Sequence, residues 1–398
     1  MTDDPINFPL ATSSWDAAEY TAIERVVQSG MFSMGKEVAA FERQFATAMG
    51  SEYAVMVNSG SSANLIIIAA LRYHSKHNLP QGAEVIVPAV SWSTTYFPLH
   101  QYGLRLKFVD IDRNTLNYDL DALAEAIGPD TRAIMTVNLL GNPNDFDRIG
   151  TLIADRDIIL IEDNCESLGA TFNAKQAGTF GIAGSYSSFF SHHIATMEGG
   201  LVVTDDKEMY HLMLSLRAHG WTRNLPKNNL ITGEKSDDPF DEAFRFVLPG
   251  YNLRPLEMSG ALGQEQIAKL PMIVSERRKN ADLFTAMMKG FPQVQIQRET
   301  GNSSWFGFSM VLREDAGIDR NALIAAFKAH GVECRPIVTG NFAKNEVVTK
   351  HMDHVVHGTL KNAEYIDANG LFIGNHHYPL DAAFDHLRRA LSSAFQGA

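Results

Sequence analysis

The sequence predicts an α/β protein built on a doubly wound, mostly parallel sheet, and three observations carry that prediction. Short β-branched runs alternate with helix-length segments over the first two thirds of the chain. Most of those runs are apolar throughout instead of alternating, as strands covered by helices on both faces must be. The length of 398 residues is ample for a large core and suggests two domains.

In chain order the predicted strands are residues 54–57, 84–87, 106–109, 133–137, 158–161, 185–189 and 201–204. The apolar stretch 65–71 follows a Ser/Gly-rich turn and is read as a helix. Residues 221–242 break the alternation. They are polar, contain Pro226, Gly233 and Pro239, and are too long for an ordinary connection, so a functional loop is expected. After Gly250-Tyr251-Asn252 a long helix is predicted from about Pro255 through Arg278 and beyond. It leads to a C-terminal lobe with a strand at 306–311, a helix at 321–330 and Gly331 as that helix's stop signal. The expected division is a large α/β domain with an N-terminal arm, 1–270, and a small α+β domain, 271–398. No internal repeat or low-complexity segment interrupts it.

Hydrophobic and charged fractions of 45% and 20% are those of an ordinary globular protein. A formal charge of −12 argues against nucleic acid or an anionic membrane as partner. It leaves an anionic small molecule open, because a local arginine cluster can reverse the field inside one cleft. Met1-Thr2-Asp3-Asp4-Pro5 is acidic, unlike the basic start of a signal peptide, and no apolar run approaches the roughly 20 residues of a membrane span. Only Cys165 and Cys334 occur, far apart, so neither a disulfide framework nor a cysteine metal cluster is expected. A reducing cytoplasm fits. His351, His354, His357, His376 and His377 lack ligand spacing, and no metal is expected there.

Three segments placed after predicted strands can carry chemistry. Asn58-Ser59-Gly60-Ser61-Ser62-Ala63-Asn64 opens a helix, where small residues let backbone amides approach an anion; the same composition also makes a plain N-cap. Asp163 and Glu166, in Ile161-Glu162-Asp163-Asn164-Cys165-Glu166, fall at a strand end, where open α/β sheets bind ligands. An Asp there can pair with a protonated pyridine nitrogen or can cap a helix or bind a metal. Trp92, in Val90-Ser91-Trp92-Ser93-Thr94-Thr95, can stack on a flat ring or sit in the core.

The most telling segment is Ser187-Ser188-Phe189-Phe190-Ser191-His192-His193-Ile194-Ala195-Thr196-Met197-Glu198-Gly199-Gly200. Taken with the three segments above, it resembles the cofactor segment of the fold-type-I, pyridoxal-phosphate-dependent sugar-nucleotide aminotransferases. In that family a Ser lies five residues before a Schiff-base Lys, and a Glu follows six residues after it. Here Ser187 and Glu198 take those places, and His192 stands where the Lys belongs. The resemblance runs from Ser33-Met34-Gly35 to Gly331-Val332-Glu333-Cys334-Arg335-Pro336. It implies an aspartate-aminotransferase-like fold and a homodimer with shared active sites. It also implies that Ser61, Ser62 and Ser187 hold the cofactor phosphate, with Asn252 reaching it from the partner subunit. By the same resemblance Trp92 stacks on the ring, Asp163 meets its nitrogen, and Glu166 lies near its hydroxyl, where many relatives have Gln.

A lysine amine can bond to the cofactor aldehyde and also shuttle protons, whereas an imidazole can only shuttle protons. The exchange therefore points from transamination to dehydration. Ser191 to Gly200, Arg217-Ala218-His219-Gly220-Trp221-Thr222-Arg223-Asn224 and Arg335-Pro336-Ile337-Val338-Thr339-Gly340-Asn341 together resemble a dehydratase branch of the family, of the colitose pathway. This implies non-covalently held pyridoxal or pyridoxamine phosphate and GDP-4-keto-6-deoxymannose as substrate. It also implies L-glutamate as amino donor, converted to 2-oxoglutarate, and ammonia as a product. His192 would act as base and then acid, with an ordinary pKa of roughly 6.5 suiting both roles. His219 and Arg223 are expected to contact substrate, or else to belong to a solvated loop. Glu333 and Arg335 are expected at the substrate, unless Arg335 merely pairs with Glu333. His193 is expected to point into packing. Two other readings stand beside this one: a 4-aminotransferase, and a catalytically silent cofactor- or sugar-binding regulator. A dehydratase finishing through an iron–sulfur cluster would need four thiolates and finds two cysteines.

Overall fold

The computed structural model describes residues 6–396; Met1-Thr2-Asp3-Asp4-Pro5, read as an acidic start, lies outside the described residues. Its centre is an eight-stranded sheet in the order Tyr53–Val57, Gly200–Thr204, Ala183–Ser187, Ile159–Asp163, Thr131–Val137, Glu84–Pro88, Arg105–Val109, His354–Val356. Gly200–Thr204 alone runs against its neighbours; every other pairing in the sheet is parallel. The unbroken apolar runs have a plain cause. Val85 and Val87 enter the core on one face of the sheet and Ile86 the core on the other. Each such fully buried side chain contributes roughly 1.5–3 kcal/mol relative to exposure.

The helix Glu257–Met288 has 32 residues and, at about 1.5 Å per residue, links the two cores. Ile267, Leu270 and Val274 pack with the large unit, and Ala281, Phe284 and Met288 with the small one. The expected boundary after residue 270 thus falls inside a continuous helix. The lobe holds a three-stranded antiparallel sheet, Val294–Ile296, Gly307–Leu312 and Gly370–Gly374, covered by the helices Arg320–Ala329 and Asp381–Gln396. Between the last two of those strands the chain returns to the large unit. Phe342, Val348, Met352 and Ala363 join its core, and His354–Val356 closes the sheet edge.

Residues 221–242 are less irregular than expected. They contain a short hairpin, Asn228–Asn229 with Gly233–Glu234, and the start of the helix Pro239–Ala243. Among the described residues no helix is long and apolar enough to cross a membrane.

Candidate active site

The segments singled out in the sequence converge beyond the carboxyl ends of the parallel strands, where open α/β sheets place ligands. Ser59 follows Tyr53–Val57, Trp92 follows Glu84–Pro88, Asp163 ends Ile159–Asp163, and Ser187 ends Ala183–Ser187.

Ser59 caps the helix Gly60–Tyr73, its Oγ accepting from the Ser62 amide at 3.1 Å. That leaves the first two amides of the helix, at Gly60 and Ser61, facing out without intrahelical partners. Ser187 closes on the same spot, since a Cβ added at Gly60 would fall 2.7 Å from the Ser187 Cβ. Free helix amides, the Ser61 hydroxyl and the Ser187 hydroxyl therefore share one small cradle suited to a phosphate. Ser62 is placed differently from expectation. Its hydroxyl donates to Asn58 Oδ1 at 2.6 Å, so it braces the turn.

Asp163 is buried and its Oδ2 accepts from Asn64 Nδ2 at 2.8 Å and from Thr95 Oγ1 at 2.7 Å, while Oδ1 takes the Cys165 amide at 3.2 Å. These fix the carboxylate plane. Glu162 has a different fate: its carboxylate accepts backbone amides of Gly178, Phe180 and Gly181 and serves the fold. Trp92 is 57% exposed, which removes the core reading and leaves its indole available to a ligand. Glu166 accepts the Leu140 amide at 2.9 Å. Burial, reinforced by the Asp163 charge, raises its carboxyl to about 7, so it can hold a proton near neutrality.

His192 sits in a loop pinned at its base by Ser188 N to Gly199 O, 2.9 Å, and Thr196 N to Ser188 O, 2.8 Å. Met197, in left-handed backbone with φ +68°, turns that loop back toward the antiparallel strand. The His192 ring is half-buried against Phe306, centroids 5.2 Å apart, and its Nδ1 is buried without a hydrogen-bond partner. Burial, with the Arg277 guanidinium nearby, lowers its pKa to about 4, which corrects the ordinary value expected from sequence. The imidazole is neutral at neutral pH and ready to accept a proton; once protonated it is a strong donor. His193 points into packing, as expected, with Nε2 3.1 Å from the Ser304 carbonyl.

His219 has φ +63° and lies with its ring 5.1 Å from that of Trp221, over which Arg223 also extends. The Ala218 backbone bridges to exposed Asn252, so His219, Arg223 and Asn252 form one outward-facing group. In the lobe, Arg335 is exposed, and among the described residues it forms no ion pair with Glu333. Glu333 Oε2 accepts the Leu10 amide at 2.9 Å instead. Sequence reasoning missed Asn64, Thr95, Phe306 and Arg277. Asn64 alone carried a visible signal, a polar residue entering an otherwise apolar helix.

The DegT/DnrJ/EryC1/StrS aminotransferase family model matches residues 13–387. GDP-4-keto-6-deoxy-D-mannose 3-dehydratase of Escherichia coli O55:H7 (strain CB9615 / EPEC) is 61% identical over 386 residues, 97% of this chain and 100% of that protein. The enzyme of the same name from Yersinia pseudotuberculosis is 59% identical, covering 96% and 97%. A crystal structure of GDP-4-keto-6-deoxymannose-3-dehydratase with a trapped PLP–glutamate geminal diamine superposes with a TM-score of 0.96 at 61% identity, covering 97% of this chain and 100% of that one.

Proposed function

The chain belongs to the DegT/DnrJ/EryC1/StrS aminotransferase family, and we propose that within it the chain removes the C-3 hydroxyl of GDP-4-keto-6-deoxy-D-mannose. The product is the 4-keto-3,6-dideoxy sugar, with L-glutamate as amino donor and ammonia released. The observation that carries this is His192, a neutral imidazole at the position where the aminotransferases of the family hold their lysine.

The residues fit pyridoxal 5′-phosphate. The Gly60–Ser61–Ser187 cradle would hold its phosphate, Trp92 would cover its ring, and Asp163 would meet the ring nitrogen. Bound there, the cofactor carries the amino group and acts as an electron sink. Glu166, able to keep its proton near pH 7, would donate to the ring hydroxyl much as the Gln of relatives does. His192 accepts a proton and, with its low affinity for it, passes it on to the departing C-3 oxygen. Lacking an amine, it cannot form the covalent link by which a lysine would release an aminated sugar. Arg223 and Arg335 would supply cationic donors and His219 a hydrogen-bonding ring for the anionic nucleotide-sugar, and Glu333 keeps Oε1 as an acceptor for a sugar hydroxyl. The two unpaired cysteines fit a reducing, cytoplasmic setting.

Incubation with GDP-4-keto-6-deoxymannose, glutamate and pyridoxal phosphate should yield a sugar lighter by one oxygen atom, seen by mass analysis, with 2-oxoglutarate and ammonia formed alongside. Borohydride should leave no pyridoxyl group on the chain. An aminated sugar or a pyridoxyl-lysine would overturn the reading; no turnover of the keto sugar would favour the silent regulator.

The active form is a homodimer with shared sites, a reading supported by exposed Asn252 and by Met31, Phe32 and Leu256, apolar side chains left uncovered in the single chain. Inactive Asn252→Ala and inactive His192→Asn subunits, once exchanged, should regain part of the activity, because one site in each mixed dimer is intact. Proven exchange without recovery counts against sharing.

A further inference from the structure

His192 lacks the usual means of orienting a histidine base. A carboxylate or carbonyl on the far nitrogen ordinarily fixes tautomer and ring angle, yet its buried Nδ1 makes no well-formed hydrogen bond, although the Phe189 carbonyl acts on the ring. What the ring does have is aromatic walls: Phe306 at 5.2 Å and Phe189 at 6.2 Å between centroids.

The Phe306 wall is held from several sides. Its amide donates to Leu140 O at 3.0 Å, and the Ser304 amide to Gly141 O at 3.0 Å. Gly141 must be glycine here, since φ is +96° and a Cβ would fall 2.5 Å from the Trp305 amide nitrogen. His193 Nε2 donates to Ser304 O, and Arg277 Nη1 donates to Phe306 O at 2.9 Å and Trp305 O at 3.3 Å. Trp305 itself holds φ +47°, a conformation that costs a non-glycine residue about 1–3 kcal/mol and persists only when its surroundings impose it. Arg277 is buried, has an unpaired Nε and, among the described residues, pairs with no carboxylate. An unneutralised buried cation is costly, and stability alone would favour an apolar residue of similar volume.

We propose that Arg277 is a positioning residue for the dehydration: through the Phe306 and Trp305 carbonyls it fixes the wall that aims His192. The inference rests on His192 being the base. The other titratable groups around this cluster are His193 on the same loop, Arg278 on the long helix, and Glu299, whose Oε1 accepts from Trp305 Nε1 at 3.1 Å. Glu166 and Asp163 lie across Leu140, and His376 and His377 lie on the lobe. Burial and the Arg277 charge act in the same direction on His192.

The test uses the whole chain labelled with ¹³C-histidine, the His192 signal being assigned by its loss in His192→Asn. Its NMR titration without sugar should move to higher pH in Arg277→Met and stay near the wild-type position in Arg277→Lys. Turnover of the GDP-linked keto sugar should fall by up to ~100-fold in kcat for Arg277→Met, the scale of a misplaced catalytic group. KM should change little, the acid limb should shift upward, and Arg277→Lys should recover part of the rate. Should Arg277→Met fail to fold, Phe306→Leu removes the wall alone and should lower kcat without changing cofactor affinity. An unmoved His192 titration in folded Arg277→Met, equal losses in the Lys and Met variants, or full activity in Phe306→Leu would overturn the proposal. Because the titration is read without turnover, it stands or falls separately from the role of His192, which the His192→Asn rate decides.

Discussion

His192→Asn is expected to keep the fold, the cofactor and the nucleotide-sugar while losing dehydration. Asparagine has comparable bulk and can still hydrogen-bond, but its amide does not accept a proton at any useful pH. Loss of a general base typically costs 10²–10⁴-fold, about 2.7–5.5 kcal/mol of barrier. The effect should lie at the upper end, because the same imidazole is proposed both to take the proton and to return it to the departing oxygen. The low pKa sharpens this. A histidine near 4 is neutral from about pH 5 upward, so the wild-type rate should stay level from there to neutrality and decline as pH falls through the folded pKa. The residual rate of His192→Asn should lack that decline. Native mass spectra should show the nucleotide-sugar retained with its C-3 oxygen, and circular dichroism should match wild type. Dehydration at a near wild-type rate would remove His192 from the chemistry.

Much of the fold was legible because local and global preferences agree. Residues 85–87 and 133–135 are apolar on both faces, and only a helix-covered sheet satisfies such a run. The long helix was visible from its pattern, and the observed Glu257–Met288 begins within two residues of the expected start at Pro255. The edge strand His354–Val356 was not visible. Its three residues have no pattern of their own and become a strand only because Arg105–Val109 offers an unpaired edge. The site divides along the same line. Ser187 and Asp163 were legible as candidates because they end strands, and His192 because motif spacing sets it five residues beyond Ser187 in the loop that follows. Arg277 and Phe306 were not, since their separation of 29 positions follows no spacing rule, and their meeting depends on how the lobe docks. The pKa of His192 was misread for that reason: a reference value describes an imidazole in water, and tertiary burial sets the real one.

Asp163→Asn should be the second most damaging change, with a loss of about 10²–10³-fold, the scale seen when a preorganised electrostatic partner is removed from a reacting centre. In the proposed function the carboxylate would have one task that no neutral group can share: it would balance a protonated ring nitrogen, so that the ring could draw electrons away from the sugar. Its surroundings are built for an anion. Asn64 Nδ2, Thr95 Oγ1 and the Cys165 amide all donate toward its two oxygens. An asparagine placed there must turn an NH₂ group toward at least one of those donors. That leaves a buried donor facing a donor, at a cost of about 1–3 kcal/mol. The variant should therefore be less stable as well as slow, and its loss of cofactor affinity should be visible in the cofactor absorbance. Asp163→Glu keeps the charge but lengthens the arm by one methylene, and so separates the two causes. If charge is what matters, Glu should recover more activity than Asn despite its poorer fit. If Asn proves as active as wild type, the ring nitrogen is not held by Asp163, and the cofactor placement derived from the strand ends has to be abandoned.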